Sequence, residues 1–220
     1  MPRAHEHALA DVEGARSAVT IAGLPGSIRS SGSTHLAVQI ALEGAAESGV
    51  GTVMLDLASY DLPLCDGTHP DAEVPEGVLR LRRDLRAVQG VILGTPEYHG
   101  SFSGALKTAL DWIGFEELEG KMVGLVGVSA GQMGAVHALD GLRAIGRALH
   151  AWVVPEQATI AEVRRYLDAE GNLTDERLRE RLKGVGRQVA QFASLHNSTG
   201  AREFLYMWEA APQNPGAQRA

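Results

Sequence analysis

Three glycine-rich segments concentrate the side chains best able to do chemistry. The first runs Gly23-Leu24-Pro25-Gly26-Ser27-Ile28-Arg29-Ser30-Ser31-Gly32-Ser33-Thr34 and leads into a helical pattern. Hydroxyls and a guanidinium ahead of a helix suit a phosphate dianion, because free amides at a helix N-terminus and a fork of N–H donors both favour an anion. No Gly-Lys-Ser/Thr follows, so this is not a Walker A loop. Gly23 and Gly26 are three apart where the dinucleotide fingerprint needs two. Asp56 after the second strand keeps only a weak dinucleotide reading in view. A pyrophosphate wants bare glycine for close approach, whereas a terminal phosphomonoester accepts a hydroxyl-rich pocket, so the loop favours a mononucleotide. The plainer alternative is a serine-rich cap on an ordinary helix.

The second segment is Gly94-Thr95-Pro96-Glu97-Tyr98-His99-Gly100-Ser101-Phe102-Ser103-Gly104. Pro96 and Gly100 should bracket a turn that presents backbone amides and Tyr98, a surface suited to a flat heteroaromatic ring. Alternatively it is a surface turn capping a helix at Ser103, with Glu97 a solvated carboxylate and His99 a turn residue. The third is Gly127-Val128-Ser129-Ala130-Gly131, followed by Gln132, Met133 and Gly134. It spells Gly-x-Ser-x-Gly, the nucleophile elbow of α/β-hydrolases. The order Ser129, Asp168, His196 permits a triad, and His150 offers another base. No His-Gly-Gly-Gly oxyanion segment precedes it, and the chain has few strands for that fold.

Each segment follows a short apolar run. Ala18–Ala22, Gly51–Leu57, Gly90–Leu93, Met122–Val128 and Ala151–Val154 are continuously apolar, as strands covered on both faces are. Helical patterns lie at Thr34–Ser48, Pro75–Ala87, Ser103–Ile113, Gly131–Leu149 and about Asp175–Leu195. This alternation implies an α/β fold: a flavodoxin-like, doubly wound, five-stranded parallel sheet with helices on both faces, in three α/β/α layers. In such sheets ligands sit beyond the carboxyl ends of the strands. Residues 1–16 read as a flexible extension, 17–196 as the folded domain, and 197–220 as a tail. The apolar patch Phe204–Trp208 in that tail should dock on the body or on a neighbouring subunit.

Composition narrows the function classes. A single cysteine in 220 residues allows no internal disulfide and no cysteine zinc cluster. Cys65 has no CxxC partner, and the eight scattered histidines lack metal-ligand spacing, so no metal is expected. With 27 acidic and 20 basic residues and no basic cluster, nucleic acid is an unsuited partner. No apolar stretch approaches the ~20 residues of a membrane span. The start Met-Pro-Arg-Ala-His-Glu-His shows no secretory h-region, so the expected location is cytoplasmic. Glycine is in surplus, 26 of 220, and nine of these lie in the three segments.

Together the three loops resemble the NADPH-dependent FMN reductase family, a flavodoxin-like group that includes quinone, chromate and azo reductases. The family's first motif runs Gly-Ser-Leu-Arg, two residues, then Ser-x-Asn. Here it reads Gly26-Ser27-Ile28-Arg29-Ser30-Ser31-Gly32-Ser33-Thr34-His35, one residue longer, with His35 in place of Asn. The second runs Pro-Glu-Tyr-Asn-Gly-Ser, then Pro-Gly-x-Leu-Lys-Asn-Ala-x-Asp-Trp. Here it reads Pro96 to Ser101, with His99 for Asn, then Ser103-Gly104-Ala105-Leu106-Lys107-Thr108-Ala109-Leu110-Asp111-Trp112. The resemblance spans about residues 18–196. It implies that Ser27, Arg29, Ser33 and Thr34 hold the FMN phosphate. Pro96, Glu97, Tyr98 and His99 would line the isoalloxazine, and Ser129, Ala130, Gly131 and Gln132 would close around it. It further implies NADPH or NADH as co-substrate, with hydride passing through FMN to a quinone-like or other small acceptor. No catalytic side chain is needed, and a homodimer or homotetramer is implied. A serine hydrolase using Ser129 and a non-catalytic flavodoxin-like electron carrier remain the alternatives.

Overall fold

In a computed structural model the described residues are 19–67 and 74–209. The N-terminal extension 1–16, with His5 and His7, and the last residues of the tail, 210–220, lie outside them. Five parallel strands form the sheet: β1 (Thr20–Pro25), β2 (Gly51–Met54), β3 (Gly90–Tyr98), β5 (Met122–Val128) and β6 (Trp152–Ile160). Their order is β2-β1-β3-β5-β6, and the two-residue β4 (Ser101–Phe102) pairs antiparallel with the end of β3. This is the flavodoxin-like order, with its switch point between β1 and β3.

The central strands are buried along their length because they are apolar on both faces; every residue of β5 is buried. Alternate residues feed two cores. Ile21, Ile92 and Val126 pack with α1 (Ser33–Ala46) and α6 (Glu176–His196). Ala22, Val91, Leu93 and Leu125 pack with α2 (Glu76–Arg86), α3 (Gly104–Asp111) and α5 (Val136–Ala148). A four-residue helix, α4 (Phe115–Leu118), precedes β5, and α7 (Thr199–Glu209) follows α6. Helix α7 bears exposed Phe204 and Met207 within the segment read as a tail.

Helices α1 and α6 touch backbone to backbone. A Cβ added at Gly186 would lie 1.7 Å from the Ala41 carbonyl oxygen, and one at Gly44 would lie 2.1 Å from that of Lys183. Elsewhere a half-buried cation closes a helix. Lys121 Nζ donates to the Leu85 carbonyl at 2.9 Å and to that of Val88, satisfying the C-terminus of α2. Burial there holds the Lys121 ammonium below its ordinary value, against a raising influence from Glu117.

Strand limits, one strand's burial and one helix start differ from the sequence expectation. Strand β2, expected to be covered on both faces, is an exposed edge with Gly51, Thr52 and Val53 open. Strand β3 runs on to Tyr98 and β6 to Ile160. The helix expected from Gly131 starts at Val136. Gly134 has φ +69, which no right-handed helix accommodates, and the Gly131 carbonyl accepts from Glu162 N (3.0 Å) rather than from a helical amide.

Candidate functional site

The ends of β1, β3, β5 and β6 converge on one cleft of about 450 Å³, lined by residues of all three glycine-rich segments and of the 163–167 turn. Such a volume lies within the ~300–1,000 Å³ common for small-ligand sites. Size alone does not single it out, since a groove along β2 and α1 encloses about 490 Å³. Charge does. The groove is lined by Glu43 and Asp56 with no arginine or lysine, whereas the cleft is lined by Arg29 and Arg164.

At one end of the cleft stands the first turn of α1. Its N-cap is Gly32, no side chain caps it, and it carries no acidic residue. The first backbone bond is Leu36 N to the Gly32 carbonyl (3.1 Å), so the amides before it point outward without an intrahelical acceptor. A serine-rich cap is therefore absent. Ser31, Ser33 and Thr34 line the cleft, and among the described residues their hydroxyls make no hydrogen bond. Arg29, also on the lining, forms no ion pair among the described residues. The loop is shaped locally: Ser27 Oγ accepts from Arg29 N (3.2 Å), and Gly32 N donates to the Arg29 carbonyl (3.0 Å). Uncapped amides, unused hydroxyls and an unpaired guanidinium fit a phosphate group.

Asp56 is engaged elsewhere. It accepts from Ala58 N (3.0 Å) as cap of the Leu57–Ser59 turn and lies 3.3 Å from His35 Nε2. Burial alone would raise its carboxyl, but hydrogen bonds from Ser30, the Ala58 amide and His35 outweigh that and hold it below the usual range. It tethers the first loop to β2 and has no part in a dinucleotide fingerprint.

The second wall comes from the end of β3. Beyond Gly94 this strand loses β1 as neighbour; it stays paired with β5 to Pro96 opposite Val128, and Glu97 and Tyr98 pair with β4. The Gly94 carbonyl faces the β1 side, accepting from Gly26 N (2.7 Å), and by strand alternation Pro96 faces the same side. Strand β1 has ended there, so the missing proline N–H leaves no β1 ladder partner unsatisfied. The turn is not bracketed by Pro96: it is His99-Gly100, with φ +53 and +76, a two-residue hairpin loop of type I′ sense. Ser103 fastens this hairpin to the first loop. Its Oγ donates to the Gly26 carbonyl (2.5 Å) and accepts from Leu106 N (3.1 Å) as N-cap of α3.

Tyr98 is half exposed at the mouth, but the Glu97 side chain turns away from solvent. Its Oε2 accepts from Ala138 N (3.0 Å) in the first turn of α5, and Oε1 lies 4.0 Å from His137 Nδ1. Glu97 is thus a helix cap rather than a solvated carboxylate. Glu97→Ala is expected to lower unfolding stability by about 1 kcal/mol, the usual cost of a lost cap, measured by urea denaturation.

The third wall is Val128, Ser129 and Ala130. Ser129 Oγ accepts from Gly131 N at 2.9 Å, stabilising the turn. Neither histidine offered for a triad, His196 or His150, stands near it. The imidazole of His196 lies 3.7 Å from the Cβ position of Gly120, and the His150 carbonyl accepts from Gly120 N (3.0 Å). Both therefore lie at the start of β5, whereas Ser129 follows its end. Seven residues at ~3.3 Å each separate them by roughly 20 Å. Asp168 bonds Asn172 instead (2.7 Å to its amide). The Gly-x-Ser-x-Gly match is a tight turn to which Asp168, His196 and His150 bring no triad.

Of the residues singled out from sequence, Ser27, Arg29, Ser33, Thr34, Pro96, Glu97, Tyr98, Ser129 and Ala130 line the cleft. His99, Gly131 and Gln132 are exposed and are not among its lining. Val163, Arg164 and Leu167 are the additions. They belong to a 3₁₀ turn, Val163–Tyr166, and its C-cap Leu167, just after β6. Reading the fifth strand as ending at Val154 placed its following loop six residues too early. Polar Glu156 and Gln157 and the edge residue Pro155 masked the continuation, which includes an irregularity opposite Val123–Leu125. Among the described residues no group of three or more His, Cys, Asp or Glu is arranged to hold a metal, and no helix is long and apolar enough to cross a membrane.

Comparison with known proteins agrees with the family resemblance read from the sequence. Residues 19–164 match the family described as NADPH-dependent FMN reductase. An NAD(P)H-dependent FMN reductase of Pseudomonas aeruginosa is 30% identical over 167 residues, covering 74% of this chain and 88% of that one. An NADPH azoreductase of a Bacillus strain is 36% identical over 107 residues, 49% of this chain and 60% of that protein's length. Among solved structures, the flavoenzyme NAD(P)H:(acceptor) oxidoreductase of Paracoccus denitrificans superposes with TM-score 0.63 at 27% identity, covering 81% of this chain and 98% of that one.

Proposed function

The chain belongs to the NADPH-dependent FMN reductase family, and from that premise we propose that it oxidises NADPH or NADH through FMN held in the β1/β3 cleft and delivers two electrons to a small quinone-like or azo acceptor. The observation that carries this reading is the uncapped, acid-free first turn of α1 beside unpaired Arg29, in a chain of net charge −7. Bound FMN supplies the hydride relay between nicotinamide and acceptor.

The protein's own contribution is position and charge. Ser33 and Thr34, with the α1 amides and Arg29, neutralise a phosphomonoester and fix one end of the ligand. The backbone of Pro96 to Tyr98 and of Ser129 and Ala130 forms two walls for a flat ring. Ser103 and the Glu97 cap keep those walls in register through bonds to Gly26 and α5. Ligand placement on rigid strand ends is what such chemistry needs, since no side chain has to exchange a proton. The half-exposed Tyr98 and exposed Ile28 leave an apolar rim, suited to an aromatic acceptor or to a second copy of the chain. Association into a homodimer or homotetramer is part of the proposal, and exposed Phe204 and Met207 on α7 supply a second apolar surface for it.

Protein loaded with FMN should oxidise NADPH in proportion to added quinone or azo dye under anaerobic conditions, followed at the nicotinamide absorbance. A loaded protein that consumes no pyridine nucleotide would be a carrier, and the reductase reading would fall.

A further inference from the structure

We propose that Arg164 is a second phosphate-binding residue, closing on the FMN phosphomonoester from the β6 side of the cleft that Arg29 borders from the β1 side. The inference rests on the FMN reading above. Its first support is charge. The cleft lining carries two guanidinia, Arg29 and Arg164, and one carboxylate, Glu97, which is already held by the Ala138 amide. Neither arginine forms an ion pair among the described residues. The neighbouring Arg165 does, with Glu162 at 2.9 Å, so adjacent arginines on one turn have different fates. A chain of net charge −7 has ample carboxylates to pair a surface arginine. Two unpaired cations on one concavity mark an anion site.

The second support is the way Arg164 is held. Glu162 has φ +45 and ψ +44, a left-handed conformation that costs a β-carbon-bearing residue of the order of 1 kcal/mol and persists only where the surroundings enforce it. Here Glu162 N donates to the Gly131 carbonyl and Val163 N to the Ser129 carbonyl, both at 3.0 Å. The turn is therefore fastened to the third wall of the cleft. Val163 is buried in the apolar cluster that includes Val38 of α1, and Leu167 and Leu36 pack against the same cluster. This seats the turn on the side of the sheet that carries α1, whose open N-terminus faces the cleft. Three strand spacings separate β1 from β6, about 15 Å. Long side chains reaching inward from both loops can meet on one dianion.

The test compares FMN with riboflavin, which lacks the phosphate, by fluorescence titration of apo-protein for wild type, Arg164→Ala, Arg164→Lys and Arg29→Ala. We expect Arg164→Ala to weaken FMN roughly fivefold to thirtyfold, less than a buried charge-assisted contact because the group is exposed. Riboflavin affinity should stay unchanged, and Arg164→Lys should recover part of the loss. Unaltered FMN affinity in Arg164→Ala would overturn the proposal, as would equal losses for both flavins. A rise in NADPH KM alone, with NADH and FMN unaffected, would also overturn it by giving Arg164 to the dinucleotide 2′-phosphate. Arg29→Ala separates the two levels of inference. If it too shows no FMN-selective loss, the placement of the phosphate itself is wrong; if only Arg164→Ala is silent, that placement stands without Arg164.

Discussion

Arg29→Ala is expected to weaken FMN binding about fivefold to thirtyfold while leaving riboflavin binding nearly untouched. The magnitude follows from removing a charge-assisted, fork-shaped donor from a dianion at an exposed position, about 1–2 kcal/mol. Selectivity for the phosphate-bearing flavin follows from the position of Arg29 beside the uncapped α1 N-terminus and the Ser33 and Thr34 hydroxyls. Arg29→Lys should fall between, since an ammonium keeps the charge and loses the paired geometry. Wild-type affinity should also decline as pH falls through about 6, where a phosphomonoester takes its second proton. Titration by flavin fluorescence reads all of these. A parallel loss of riboflavin binding would mean instead that the substitution disorders the first loop.

Gly186→Ala should be among the most destabilising single-methyl changes in the molecule's helices. Intrinsic propensity alone argues the opposite, because alanine in a helix interior is favoured over glycine by about 1 kcal/mol. The new Cβ, however, would stand 1.7 Å from the Ala41 carbonyl oxygen and 2.8 Å from Ala45 N, backbone atoms of α1 that cannot rotate aside. Helices α1 and α6 must move apart, and the apolar contacts of Ala41, Val185 and Val189 loosen with them. Overpacking of this kind commonly costs about 1–3 kcal/mol and here meets backbone rather than a pliant side chain. A net loss of about 3 kcal/mol is expected, a fall in Tm of roughly 6–12 °C for a domain of this size. Gly184 is the internal control. It lies in the same helix, and its nearest neighbour would be Glu156 Oε1 at 4.0 Å. Gly184→Ala should therefore raise stability by up to about 1 kcal/mol. Both are read by thermal and urea denaturation.

The buried centre of the fold was legible in the sequence because its strands are apolar on both faces. Gly90–Leu93 and Met122–Val128 could hardly be anything else once flanked by helical patterns. What escaped were the places where a strand stops being buried. Strand β3 passes through Pro96 only because β1 has ended beside it, a tertiary fact with no local signature. Strand β6 continues through Pro155 and Glu156 as an edge, where polar residues are permitted. That one misplaced end hid Arg164. The site was legible through its backbone chemistry, namely the glycines and hydroxyls of 26–34 and the turn at 94–104. Side-chain duties were not. Glu97 caps α5 across 41 positions of sequence, and Asp56 restrains Ser30 and His35, pairings that spacing alone cannot reveal. The serine in Gly127–Gly131 shows the converse hazard. Its motif is intact, but the histidines that would complete a triad sit at the opposite end of the strand.

The most direct test of the central claim, that the β1/β3 cleft is an FMN site built around an uncapped helix terminus, is a competition for retention. Apo-protein is equilibrated with equal concentrations of FMN, FAD and riboflavin, desalted, and the retained flavin is released and identified by chromatography. FMN as the dominant retained species is the predicted result, because only it presents a terminal phosphomonoester to Arg29, Ser33, Thr34 and the α1 amides. Retention of riboflavin or FAD in equal or greater amount, or of no flavin, would contradict the claim.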